Sequence, residues 1–131
     1  MDMPLTLALH DETTAGESRS AGKFQFDSPN PTLRQIIQLR VQQEVARFNQ
    51  AECEMFQGLV QPEESERILN GVKARPVLDW QKQLTKAIAA FEGNGFLVLL
   101  DDRQITDLDQ PLDITPWSKI TFLRLVPLIG G

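Results

Sequence analysis

Few side chains in this chain are of a type that does chemistry. The sequence holds one cysteine and one histidine, Cys53 and His10. Cys53 lies between Glu52 and Glu54, whose charges hold a thiol in its protonated, weakly nucleophilic form, so it reads as a half-buried structural cysteine. A lone cysteine makes no internal disulfide, and with a single histidine it is too little for a Cys/His zinc site. His10 falls on the polar face of an alternating segment with no partner nucleophile, which makes it an exposed strand residue rather than a base. Asp101, Asp102, Asp107, Asp109 and Asp113 crowd the last third, but their spacing fits no EF-hand loop and the turn glycine is missing. They read as turn residues and solvated loops whose acidic surface could steer a basic partner. Nothing resembles a phosphate-binding loop, a nucleophile elbow or a Ser/His/Asp set, and no catalytic residue is expected; the chain is read as not itself an enzyme.

What remains is the segment Pro127-Leu128-Ile129-Gly130-Gly131. A carboxylate at its end is a poor acyl donor, because its charge repels nucleophiles and oxide does not leave.

The elements that would carry this segment follow from composition and pattern. With 131 residues, 41% hydrophobic and 24% charged, the chain suits one ordinary domain with a real core. A net charge of -5 lacks the basic stripe of a nucleic-acid binder, so no nucleic-acid partner is expected. Charge is negative in residues 1–32 and 93–131 and balanced in residues 33–92, with no acidic tail or basic arm. No apolar run approaches the ~20 residues that span a bilayer, so no membrane partner is expected. No basic leader precedes the first apolar stretch, and the cytoplasm is the expected location.

Leu5–His10 alternates as a half-buried strand, Asp11–Gly22 reads as a loose polar connection, and Lys23–Asp27 alternates again with Phe24 and Phe26 on one face. The pair predicts an antiparallel hairpin ended by Pro29 and Pro31. Thr32 and Gln35 fit a capping box. Leu33, Ile36, Ile37, Val41, Val45 and Phe48 then form one helical stripe, with the pattern continuing to Phe56 and a stop at Gly58. Pro62 with Glu63, Glu64 and Glu66 suggests a short helix stopped by Asn70-Gly71. Asp79 caps a further helix bearing Trp80, Leu84, Ala87, Ile88 and Phe91, and Gly93-Asn94-Gly95 ends it. Phe96–Leu100 is a strand suited to cover on both faces, Arg103–Thr106 a short return strand, Asp107–Trp117 a loop, and Lys119–Val126 a last strand. Trp80 could staple its helix end. Trp117, between Pro116 and Ser118, is a partly exposed contact candidate, although core packing is the commoner use of Trp. These elements predict a mixed α+β domain with one sheet and one helical layer.

Phe96–Ile105, Thr106–Leu112 and Lys119–Gly131 together resemble the second half of a ubiquitin-like protein: strand, tight turn, short strand, loop, last strand, diglycine. The first hairpin and the Thr32-capped helix also occupy the places that family gives them. The resemblance covers about residues 4–50 and 93–131, and it implies a β-grasp fold, one ubiquitin-like domain over 1–131. About residues 50–92 would be a helical insertion that simple members lack, or one helix of the grasp with a partner helix, and 127–131 a flexible tail. Ubiquitin alternates Leu and Arg before its diglycine; Pro127, Leu128 and Ile129 look more like the small sulfur-carrier subunit of molybdopterin synthase, a superfamily that also includes the thiamine sulfur carrier.

The resemblance implies that an ATP-dependent activating enzyme of the ubiquitin-activating type adenylates the Gly131 carboxylate, with ATP used by that partner and no cofactor bound here. Attack by a thiolate then gives a thioester from which a lysine amine of a target protein takes the acyl group as an isopeptide. A sulfide equivalent from a sulfur-transfer partner gives a thiocarboxylate instead. Gly130 and Gly131, without Cβ, suit a narrow channel. Leu128 and Ile129 supply apolar grip, and Pro127 ends the ladder where the tail departs. Lys23, Lys73, Lys82, Lys86 and Lys119 could accept a conjugate. The leading expectation is a protein modifier; the alternatives are a sulfur carrier and a non-covalent adaptor using the sheet or the inserted helices.

Overall fold

Leu7 and Leu9 alternate with Thr6, Ala8 and His10, and such a pattern buries one row of side chains only when the backbone is extended. The computed structural model, which describes residues 5–28, 30–50, 59 and 77–126, has it so. Strand β1 is Leu5–Thr13 and β2 is Ser18–Phe26; α1 is Leu33–Gln50 and α2 is Trp80–Glu92; β3 is Phe96–Leu100, β4 is Arg103–Ile105 and β5 is Lys119–Arg124. The protein is α+β, with a five-stranded mixed sheet and two helices among the described residues. The strand order is β2-β1-β5-β3-β4. β1 runs antiparallel to β2 and parallel to β5, while β3 runs antiparallel to both β4 and β5.

Register puts the apolar rows together. Leu7 faces Phe24, Leu9 faces Ile120, Val98 faces both Phe122 and Ile105, and Leu100 faces Ile120. All of these side chains are buried, with Phe26 and Phe96. The Phe96 ring lies 5.9 Å from Phe122 and 6.0 Å from Phe91, both tilted, as aromatic quadrupoles prefer. Leu97 and Leu99 are only half-buried. β3 is therefore buried in alternation, and its unbroken apolar run overstates the cover on its second face.

The first hairpin corrects the expectation of a loose connection over Asp11–Gly22. β1 and β2 continue to Thr13 and from Ser18, leaving only residues 14–17 outside the strands. Polar side chains do not prevent this, because the ladder uses backbone groups. The stretch Asp11–Thr13 is also paired on its other side by Phe122–Arg124. A bulge between Leu9 and His10 sets Gly22 and Ser20 as their partners. Gly22 takes φ +109° there, a conformation open to glycine.

The helix boundaries follow their signals. Thr32 N–H donates to Gln35 Oε1 at 2.9 Å and Gln35 N–H to Thr32 Oγ1 at 3.2 Å, a reciprocal capping box. Asp79 Oδ1 accepts Gln81 N–H at 2.9 Å at the start of α2. At its end Asn94 takes φ 61°, Asn94 N–H reaches Phe91 O at 3.1 Å and Gly95 N–H reaches Ala90 O at 2.7 Å. That is the Schellman pattern, with Asn in the left-handed position. Cys53, the continuation of the first helical pattern to Phe56 and Gly58, and the segment from Pro62 to Lys73 lie outside the described residues.

The described residues group into two compact units, one of residues up to Ile36 with those from Ala90, the other of Ile37–Ala89. In the first, Leu33, Ile36, Leu108, Leu112 and Ile114 join the buried set. Arg34 N–H donates to Leu108 O and Leu112 N–H to Pro31 O, each at 3.0 Å, which ties the loop after β4 to the start of α1. In the second, Ile37, Val41, Val45 and Phe48 are buried with Leu59, Leu78 and Ala87. Arg40, 1% exposed, donates Nε–H to Glu44 Oε2 at 3.2 Å, and Glu44 Oε1 accepts Leu59 N–H at 3.0 Å. Asn49 takes both backbone groups of Leu78, accepting its N–H at 3.0 Å and donating to its carbonyl at 3.1 Å.

Candidate functional site

Pro127, Leu128, Ile129, Gly130 and Gly131 lie outside the described residues. The structure shows how the chain that leads to them leaves the sheet. β5 is the middle strand, with Arg124 opposite Thr13 of β1 on one side and Phe96 of β3 on the other. A strand paired on both edges is fixed in direction and register, so it sets where its own end emerges.

The ladder stops at Arg124, two residues before the expected limit at Val126. Beyond it the tip of the first hairpin takes over. Thr14 N–H donates to Arg124 O at 3.0 Å. Thr14 Oγ1 accepts Val126 N–H at 2.8 Å and donates to Val126 O at 3.3 Å, so one hydroxyl satisfies both backbone groups of a residue that has left its strand. The tip is itself braced. Thr13 Oγ1 accepts Ala15 N–H at 3.3 Å and Glu17 N–H at 3.2 Å, Thr13 N–H donates to Glu17 O at 2.9 Å, and Gly16 N–H to Thr13 O at 3.0 Å with Gly16 at φ +94°. Leu125 and Val126 are 44% and 42% exposed. Two large apolar side chains thus stand at the surface immediately before Pro127-Leu128-Ile129.

Sequence reasoning missed Thr14. A threonine in the run Asp11-Glu12-Thr13-Thr14-Ala15-Gly16-Glu17 reads as loop, and its partner is 112 residues away. No local pattern encodes that pairing.

The other candidates separate. His10 is half-buried on the sheet face opposite the core row, between Ser20 and Thr121 in register. The five aspartates do not converge. Asp101, at φ 54°, accepts Lys119 N–H at 3.1 Å; Asp113 accepts from Asn30 Nδ2 at 2.9 Å; Asp107 Oδ1 accepts Asp109 N–H at 2.9 Å. Asp109 takes the Arg34 guanidinium on both oxygens, at 2.9 and 3.3 Å. That hydrogen-bonded pairing lowers the Asp109 carboxyl below its ordinary value and raises Arg34, with a smaller contribution to Arg34 from the charge of Glu92. Among the described residues no three of His, Cys, Asp and Glu sit close enough to hold one metal ion, and no helix is long and apolar enough to cross a membrane. Trp117 is 86% exposed on a turn closed by Ser118 N–H to Thr115 O at 3.0 Å and Thr115 N–H to Ser118 Oγ at 2.9 Å. Trp80 is half-buried.

The described part of the site is therefore a mounting. A central strand ends on a threonine tether that holds Val126, with Leu125 and Val126 exposed at the end of the described chain. No model of a protein family matches this chain, and neither a curated protein nor a solved structure matches it.

Proposed function

We propose that the protein is a ubiquitin-like modifier of β-grasp fold whose Gly131 carboxylate, as the last residue of the acting form, is activated by an ATP-dependent adenylating enzyme and transferred to amines on target proteins. One observation carries the reading. The strand that leads to Gly130-Gly131 is the central one of a sheet ordered β2-β1-β5-β3-β4, parallel to β1 and tethered at its exit by Thr14. That order, with a hairpin first and a helix after it, supports the β-grasp assignment. A fixed Val126 gives the residues after it a known origin, which is what a partner needs if it is to receive a terminal carboxylate in line.

The chemistry is divided between two proteins. Attack of the carboxylate on the α-phosphate of ATP forms the acyl-adenylate and releases pyrophosphate. A partner thiolate displaces AMP to give a thioester, and a target amine displaces that thiol to give an isopeptide. This chain supplies the electrophilic carbon and the grip of its tail, and it binds no cofactor in the scheme. A reaction that draws on ATP fits the cytoplasm. The five residues from Pro127 to Gly131 span at most ~18 Å if fully extended. The partner's reacting centre must then come within that distance of Val126, and the hairpin tip belongs to the surface it meets.

The apolar run Leu125-Val126-Pro127-Leu128-Ile129 favours a second reading, a sulfur carrier in which a sulfide donor displaces AMP and leaves a thiocarboxylate. Intact masses of the protein and its adducts, isolated from the native host, decide. A Gly131–lysine linkage supports the modifier, and replacement of one terminal oxygen by sulfur supports the carrier. An unmodified terminus with function retained after Gly130-Gly131 is removed refutes both and leaves an adaptor.

A further inference from the structure

The first hairpin turns through Thr14-Ala15-Gly16-Glu17, and all four residues are exposed. A Cβ placed on Gly16 would meet nothing within 4 Å, so the turn stands clear of the sheet that carries it. It is braced from within by Thr13 and open on its outer side, which lets an enzyme grasp it without unfolding the body.

Four hydroxyls lie on or beside this turn, and they are not equivalent. Thr13 is half-buried, and its Oγ1 faces its own turn to accept the N–H groups of Ala15 and Glu17. Ser20 accepts Gly22 N–H at the bulge. Ser18 is exposed but already within β2. Three residues on from Thr13, Ser18 and Ser20 stand Gly16, Ala21 and Lys23. Three residues on from Thr14 stands Glu17, with Asp11 and Glu12 shortly before it. Kinases choose their substrates by such charge patterns, and a carboxylate at that distance suits a basic substrate groove.

The same hydroxyl is the tether. It donates to Val126 O and accepts Val126 N–H, so a group attached to its oxygen removes the donor outright and crowds the acceptor. A phosphoryl group also brings roughly two negative charges to the Val126 carbonyl oxygen, in a tip that already holds Glu12 and Glu17.

We propose that Thr14 is a phosphorylation site for an acid-directed protein kinase, and that its phosphoryl group unfastens Val126. The bond from Oγ1 to the γ-phosphorus of ATP forms as the bond from that phosphorus to the β,γ-bridging oxygen breaks. ADP leaves, and the hydroxyl proton passes to a base of the kinase. The backbone bond from Thr14 N–H to Arg124 O is untouched, so the last held residue moves back from Val126 to Arg124. Leu125 and Val126 then add roughly 7 Å to the length of chain that a binding protein can draw out. The site needs nothing of Gly131, so its failure and the failure of the modifier reading are separate events.

The test is treatment of the ¹⁵N-labelled full chain with an acid-directed serine/threonine kinase and magnesium ATP. Transfer of one phosphoryl group is expected, placed on Thr14 by fragmentation mass spectrometry, and Glu17→Gln should slow it about tenfold. Amide exchange at Val126 should then quicken about tenfold with Phe122 unchanged, and phosphatase treatment should restore it. The proposal is overturned by no transfer, by preferred transfer to Ser18 or Ser20, or by an unslowed Glu17→Gln. Val126 exchange that stays the same or slows after phosphorylation overturns it too. The exchange comparison follows one sequence before modification, after it and after its removal, so it does not depend on how a variant folds.

Discussion

Thr14 and Val126, 112 residues apart, are joined by two hydrogen bonds through one hydroxyl, one accepted from the Val126 N–H and one donated to its carbonyl. The side chain stands in for the neighbouring strand that β5 has just lost. Because β1 and β5 are parallel and in register up to Thr13 and Arg124, the tip of the first hairpin arrives where β5 runs out. The length of the hairpin thus decides where Val126 is held, and the extension of β1 past His10 supplies the tether that its polar sequence does not advertise.

Thr14→Val removes both side-chain bonds but keeps the shape and the backbone bond to Arg124. Each bond contributes roughly 0.5–1.5 kcal/mol, toward the lower end at an exposed site. Amide exchange at Val126 is expected to quicken about tenfold, with Phe122 in mid-strand unchanged and Thr14→Ser close to the original rate. Unaltered exchange at Val126 would show that the tether does not hold in solution.

Gly131→Ala and deletion of Gly130-Gly131 are expected to abolish every adduct found in the native host while leaving thermal unfolding within about 1 kcal/mol of the original. Stability and activation live on different residues in this reading. A variant that lost both together would put the tail inside the folded body and end the modifier proposal.

Asp109→Asn breaks the two-handed contact with Arg34. The carboxyl is lowered in the folded protein from an ordinary value of 3.8, so the sign is fixed: its contribution is present above that value and is lost as pH falls through the lowered one. The original protein should therefore lose more stability than Asp109→Asn when unfolding is followed from pH 5 down to about pH 2. Both partners are exposed, so 0.5 M salt is expected to shrink the difference. The reverse slope would refute the assignment.

Much of the sheet was legible in the sequence because its information is local. Leu7, Leu9, Phe24, Phe26, Ile120 and Phe122 mark one face by alternation. Thr32 with Gln35, Asp79, and Gly93-Asn94-Gly95 mark helix ends by side-chain chemistry that acts within a few residues. The Asp11–Thr13 and Ser18–Gly22 segments were not legible, since a polar ribbon is held by backbone bonds that no side-chain pattern announces. Thr14–Val126, Arg34–Asp109 and Asn49–Leu78 were not legible for a related reason: each pairs polar groups 112, 75 and 29 residues apart, and the choice of partner is made by the fold. The acidic cluster shows the same limit. Five aspartates close in sequence divide among two turns, an asparagine and an arginine once strand order is imposed.

Asn49→Leu tests the tie that closes the second unit. Asn49 presents a donor and an acceptor on one amide, and Leu78 offers a carbonyl and an N–H side by side, so the pair imitates one rung of a ladder between the last turn of α1 and the approach to α2. Both Leu78 backbone groups are partly buried and would lose their partner without gaining water in full. The cost of such orphaned groups is about 1–3 kcal/mol, and leucine, branched at the same carbon and larger, leaves no cavity. Urea unfolding should show a lower midpoint with an unchanged slope. Asn49→Asp keeps the acceptor but sets a carboxylate oxygen against the Leu78 carbonyl, so it should also fall below the original midpoint. If Asn49→Leu matches the original within about 0.5 kcal/mol, the rung carries no net stability, and the connection between the helices is held by other contacts.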